Sequence, residues 1–184
     1  MTDSKLLVHG SCVALRDARD TWAGVLLRGH SGAGKSDLAL RLIDGGARLV
    51  ADDQTELRAV ESELLARAPG TIAGKLEVRG IGILELPYLD DIPLRLVCDL
   101  VPPSEVVRHP ETETVRLADI EVPRIALAPF EVSAPAKLRL GVQAVCHGII
   151  ASPNCAAAAR CQKPNRTCRT MPIHRFHLRA VCSW

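Results

Sequence analysis

Residues 29–36 read GHSGAGKS, and no other stretch of the chain restricts its fold so tightly. The segment fits G-x-x-x-x-G-K-S, with Gly29, Gly34, Lys35 and Ser36 at the required places. Before it runs AGVLLRG (23–29), a short apolar run of the buried-strand type. After it, KSDLALRLIDGG (35–46) sets Leu38, Leu42 and Ile43 at helical spacing with Ala39 beside them, and Gly45-Gly46 supplies a stop. Strand, glycine loop and helix in that order form a phosphate-binding unit. Glycines let the backbone approach an anion closely, successive N–H groups point into one concavity, and the helix N-terminus adds partial positive charge there. The candidate phosphate-binding residues are therefore Gly29, His30, Ser31, Gly32, Ala33, Gly34, Lys35 and Ser36. Lys35 suits the β- and γ-phosphates, and Ser36 suits Mg²⁺. A glycine turn that merely starts a helix is the plainer alternative; the strand before and the helix after weigh against it.

Asp52-Asp53 closes the next short strand, ARLVADD (47–53). Ligands of open α/β sheets bind at the carboxyl ends of strands. There two carboxylates can divide labour, one holding metal-bound water and the other accepting a proton from an attacking hydroxyl. Solvated acids in a turn are the alternative. His9, before Gly10, reads as a structural histidine, and Glu77 and Arg79 in LEVRGIG fit a salt-bridged edge strand as well as a site role. Further strands are expected at 5–15, 54–60, 76–87, 93–101 and 122–130, and a helix begins in SAPAKLRLGVQAV (133–145). The pattern is α/β, a mixed sheet with flanking helices, richer in strands than a simple βαβ alternation.

The chain has 184 residues, and 47% are apolar but only 3% aromatic, so the core rests on Leu, Val, Ile and Ala. There is no apolar run of 18 residues, which argues against a membrane span. The N-terminus lacks a leader pattern and reads as uncleaved and cytoplasmic. The net charge of +2 conceals an asymmetry: all 21 acids precede Cys146, whereas residues 146–184 carry six basic residues. The expected division is a catalytic domain over 1–145 and a poorly ordered Cys/Arg-rich tail over 146–184, closer to an out-of-frame reading than to a domain ending. The tail has no nucleic-acid module. Its Cys155, Cys161, Cys168, His174 and His177 are spaced too widely for a structural zinc site, and disulfides are not expected in a reducing compartment.

VHG (8–10), GHSGAGKSDLAL (29–40), RLVADD (48–53) and LEVRGIGILE (76–85), in this order, resemble the catalytic domain of the bacterial HPr kinase/phosphorylase family. The resemblance covers roughly residues 5–145 and is to a short form without the family's separate N-terminal domain. It implies a phosphate-loop fold related to that of phosphoenolpyruvate carboxykinase. It also implies ATP- and Mg²⁺-dependent phosphorylation of a serine on HPr, or on a similar carrier of the phosphotransferase system, and removal of that phosphate with inorganic phosphate. By resemblance, His9, Lys35, Asp53 and Arg108 are catalytic-site residues, and Ser36 and Glu77 hold Mg²⁺. Asp53 is then the proton acceptor of the kinase step and the donor of the reverse step. The resemblance also implies a homo-oligomer. Where many members carry a Pro- and Arg-rich loop, this chain reads APFEVSAPAK (128–137), with Glu131 in the stretch and Lys137 and Arg139 as the nearest cations.

Two other readings fit the same residues. One is a phosphate-loop kinase or NTPase acting on a small molecule, since Asp53 could deprotonate a sugar hydroxyl as readily as a serine. The other is a nucleotide-binding regulatory module without turnover.

Overall fold

The computed structural model describes residues 5–150. The tail from residue 151 on, with the cysteines and histidines weighed above for zinc, lies outside the described residues. The first strands are β1 (Lys5–His9), β2 (Ser11–Arg16) and β3 (Trp22–Arg28), followed by helix α1 (Lys35–Asp44). Then come β4 (Arg48–Ala51), β5 (Gln54–Val60), β6 (Glu63–Arg67), β7 (Lys75–Val78), β8 (Gly82–Glu85) and β9 (Ile92–Leu100). A 3-10 turn at Pro103–Glu105 precedes β10 (Glu113–Leu117), β11 (Ile120–Leu127) and helix α2 (Ala134–Cys146).

The main sheet runs β1-β5-β6-β9-β3-β2-β4, and β11 with β10 branches from β9. Strands β3, β9 and β11 are mutually parallel. Because β2 is antiparallel to both β3 and β4, β4 runs parallel to β3. The carboxyl ends of β3, β4, β9 and β11 therefore share one edge, and the β1–β2 and β4–β5 turns fall on it too. That edge receives the phosphate loop, the acidic pair and His9.

Alternation along the central strands sorts the core into two faces. Val13, Leu15, Val25, Leu27, Leu96 and Cys98 face α1 and α2, meeting Leu38, Leu42, Leu138 and Val142. Cys12, Ala14, Leu26 and Val97 face the other way, against Leu57, Leu64 and Val122 of the curled sheet. Both helices thus flank one face, and the sheet covers its own second face. Burial pushes the Cys12 thiol up to about 12, so it packs as an inert apolar group. Leu38 is fully buried under α1. Leu38→Ala is expected to lower the unfolding free energy by about 3 kcal/mol in urea denaturation, and a loss below about 1 kcal/mol would mean α1 is not packed as described.

The strand expected over 5–15 breaks at Gly10. A Cβ there would stand 2.7 Å from the Leu27 carbonyl oxygen, so the chain can turn only as glycine. Residues 17–21 form the β2–β3 connection. The Asp17 carboxylate accepts from the Arg19 and Thr21 amides and the Thr21 hydroxyl and closes the turn. Strands β6 and β10 were not expected, since ELLAR and ETVRL alternate too weakly to stand out from turns.

Candidate active site

The loop after β3 ends on Gly34, which has φ 86° and is the N-cap of α1 with no side-chain cap bond. The first-turn amides of α1 have no intrahelical acceptor by geometry and point toward the sheet edge. Lys35 is 8% exposed, and its ammonium donates to the carbonyls of Gly29 (2.9 Å) and His30 (3.0 Å). The ammonium is thereby held against the concave loop to which it belongs. A Cβ on Gly29 would meet the Ala33 Cβ at 2.9 Å, so the tight entry to the loop needs glycine.

The neighbouring acids differ in burial. Asp52 is buried. Its Oδ1 accepts from the Ser11 hydroxyl (2.6 Å) and the Ser36 hydroxyl (3.0 Å), and its Oδ2 from the Glu77 amide (3.2 Å). Asp53 has φ 64°, a left-handed conformation that aspartate tolerates. Its carbonyl accepts from the Gly10 amide (2.9 Å), and the Gln54 amide donates to the Asp52 carbonyl (2.8 Å). This tight turn sends the Asp53 carboxylate outward, 70% exposed, with His9 Nδ1 3.4 Å from its Oδ1.

Both Asp53 and Lys35 line one cleft of about 460 Å³, together with His9, Ser36, Glu77, Arg79 and Phe130. Of the resemblance-derived site residues, His9, Lys35, Ser36, Asp53 and Glu77 are brought together there. Ser31, Gly32 and Gly34 also line it. Arg108 is not brought to it: it is exposed in the connection between the 3-10 turn and β10 and is absent from the lining. Glu77 reaches the cleft because β7 pairs with β8 in a separate ribbon, whose Leu76 is fully buried while Glu77 alternates outward. Ser11 was missed as a site residue, and Asp52 was read only as half of an acidic pair. A buried hydroxyl–carboxylate pair 41 residues apart leaves no local pattern to read.

Among the described residues no three His, Cys, Asp or Glu side chains converge on one point. Mg²⁺ does not require that, because it binds through one or two carboxylates and takes its other oxygens from phosphates and water. The Ser36 hydroxyl fixed by Asp52, with the Glu77 carboxylate in the same cleft, is an all-oxygen donor set that suits Mg²⁺.

Residues 2–89 match the family model described as the HPr Serine kinase C-terminal domain. The chain is 36% identical over 135 residues to the HPr kinase/phosphorylase of Caldanaerobacter subterraneus, covering 67% of this chain and 43% of that protein. This chain belongs to the HPr kinase/phosphorylase family. The family's Clostridium acetobutylicum member is 50% identical over 66 residues, 36% of this chain and 22% of its own. The chain thus spans between about a fifth and two fifths of the length of these curated relatives. The structure of the Hpr(Ser) kinase/phosphatase from Coxiella burnetii superposes with a TM-score of 0.62 at 25% identity, over 78% of this chain and 95% of that one. In the loop where the HPr kinase/phosphorylase resemblance expects cations, Lys137 is paired with Glu131. Arg139 donates to the carbonyls of Leu42 and Gly45 at the end of α1. No helix among the described residues is long and apolar enough to cross a membrane.

Proposed function

We propose that this domain transfers the γ-phosphoryl group of ATP to a serine hydroxyl of an HPr-like phosphocarrier protein. The observation that carries the reading is the shared cleft of Lys35 and Asp53. Phosphoryl transfer demands little covalent chemistry of a protein; it needs positioning and charge stabilisation. Lys35 and the amides of the loop and of the first turn of α1 hold the β- and γ-phosphates and stabilise charge on the transferring group. Mg²⁺, when bound, neutralises charge on the phosphate oxygens; Ser36 and Glu77 would hold it, with Asp52 fixing the Ser36 hydroxyl.

Asp53 stands exposed in the same cleft and accepts the proton of the serine hydroxyl as its oxygen attacks the γ-phosphorus and ADP leaves. His9 orients that carboxylate. In the reverse step inorganic phosphate attacks the phosphorus of phosphoserine, the bond from that phosphorus to the serine oxygen breaks, pyrophosphate forms, and Asp53 gives the proton to the departing serine oxygen, because the base of one direction is the acid of the other. The engagement of Lys137 and Arg139 elsewhere favours the kinase direction, since neither cation faces the cleft to receive inorganic phosphate.

Incubation of the full chain with ATP, Mg²⁺ and an HPr-like carrier, read by mass spectrometry, is expected to show phosphoserine on the carrier. ATP binding without any phosphoserine would instead favour the non-turnover module. Phosphate appearing on a small hydroxylated molecule but not on the carrier would favour the small-molecule kinase.

A further inference from the structure

The chain has only two phenylalanines, and one of them, Phe130, is 70% exposed. It follows β11 and lines the cleft beside Gly34, Asp37 and Leu40. Its ring lies over the phosphate loop: a Cβ on Gly34 would come within 2.9 Å of the ring Cζ. An aromatic ring left this open gains nothing from burial in the fold itself.

The backbone that carries the ring is nonetheless held in place on both sides. The Arg41 guanidinium of α1 donates to the carbonyls of Pro129 and Glu131, on either side of Phe130. The Glu131 carboxylate pairs with Lys137 and accepts from the Ser133 hydroxyl, and these contacts hold its pKa below the usual glutamate value. Pro129 is buried, and the Glu131 carbonyl accepts from the Ala134 amide at the start of α2. A preset exposed ring costs little further ordering when a ligand covers it.

The cleft lining is also chemically mixed. Lys35, Asp37, Asp53, Glu77 and Arg79 bring charge to it, and Phe130, Leu40 and Val78 bring apolar surface. A nucleoside triphosphate combines the same two characters, a charged phosphate chain and a flat apolar-faced base.

We propose that Phe130 is the platform on which the base of a nucleoside triphosphate stacks. The proposal rests on the nucleotide-binding reading given above and adds the subsite for the base. The phenyl ring has no polar atom, so it recognises the face of a base and not its edge. ATP and GTP should therefore depend on it equally.

The test is isothermal titration of the full chain, of Phe130→Ala and of Phe130→Trp, with Mg²⁺-ATP, Mg²⁺-GTP and Mg²⁺-tripolyphosphate. Phe130→Ala is expected to weaken both nucleotides about tenfold, within the range that one stacked base carries. It should leave tripolyphosphate within about twofold, and Phe130→Trp should retain the nucleotide affinity. Unchanged nucleotide binding in Phe130→Ala would overturn the proposal; if that variant also raised the KM for a carrier protein, the ring would be a protein-docking group. Equal weakening of nucleotides and tripolyphosphate would overturn it as well, by showing that the ring only packs the loop. Wild-type protein that binds tripolyphosphate as tightly as ATP would sink the stacking alone, whereas binding neither would remove the phosphate-loop reading beneath it.

Discussion

Replacing Asp53 with asparagine is expected to lower phosphoryl transfer to the carrier by about 10³-fold while leaving ATP affinity within about twofold. General-base assistance typically contributes about 10² to 10⁴, and Asp53 is the exposed carboxylate that shares the cleft with Lys35. The substitution is nearly isosteric, and asparagine tolerates the left-handed conformation at φ 64°, so the β4–β5 turn should persist. The backbone bond from Gly10 to the residue 53 carbonyl does not depend on the side chain. Steady-state transfer of labelled phosphate, with ATP titration as the control, separates loss of chemistry from loss of binding. Transfer within tenfold of wild type would exclude Asp53 as the base. His9→Ala, which removes only the neighbour at 3.4 Å, should cost less.

Asp52→Ala is expected to damage the fold and the site together. The buried carboxylate accepts three hydrogen bonds, and its removal strands the Ser11 hydroxyl, itself fully buried, without an acceptor. Hydrogen bonds to charged groups and stranded buried donors each cost on the order of 1–3 kcal/mol. A net loss of about 3 kcal/mol is therefore expected as a lower urea midpoint with an unchanged slope. Transfer should fall as well, because Ser36 and the Glu77 backbone lose the group that joins them. Asp53→Asn should change the unfolding free energy by less than about 0.5 kcal/mol, as exposed positions usually do. Equal destabilisation by the two variants would contradict the division into one buried, organising acid and one exposed, reacting acid.

That division also marks what local sequence could and could not reveal. The phosphate loop was legible because every requirement is local: glycines, lysine and serine at fixed spacing between an apolar strand and an amphipathic helix. Strands β3, β4, β9 and β11 were legible for the same reason, being short apolar runs bounded by turn residues. Strands β6 and β10 were not. ELLAR and ETVRL are ordered by pairing with β5 and β11, which is tertiary context and not propensity. His9 read as structural on its own residues, and only the resemblance pointed to catalysis. Its position depends on β1 pairing antiparallel with β5, which sets His9 opposite Gln54, next to Asp53. Phe130 was hidden in the same way. Its exposure depends on Arg41, 89 positions earlier in the chain, bonding the carbonyls that flank it.

The most direct measurement is a crystal structure of the full chain with Mg²⁺ and a non-hydrolysable ATP analogue. The β- and γ-phosphates are expected to sit against Lys35 and the amides of the 29–36 loop. The Asp53 carboxylate should face the terminal phosphorus with room for one hydroxyl oxygen between them. A nucleotide seated away from that loop, or an Asp53 carboxylate with no line to the terminal phosphate, would contradict this arrangement.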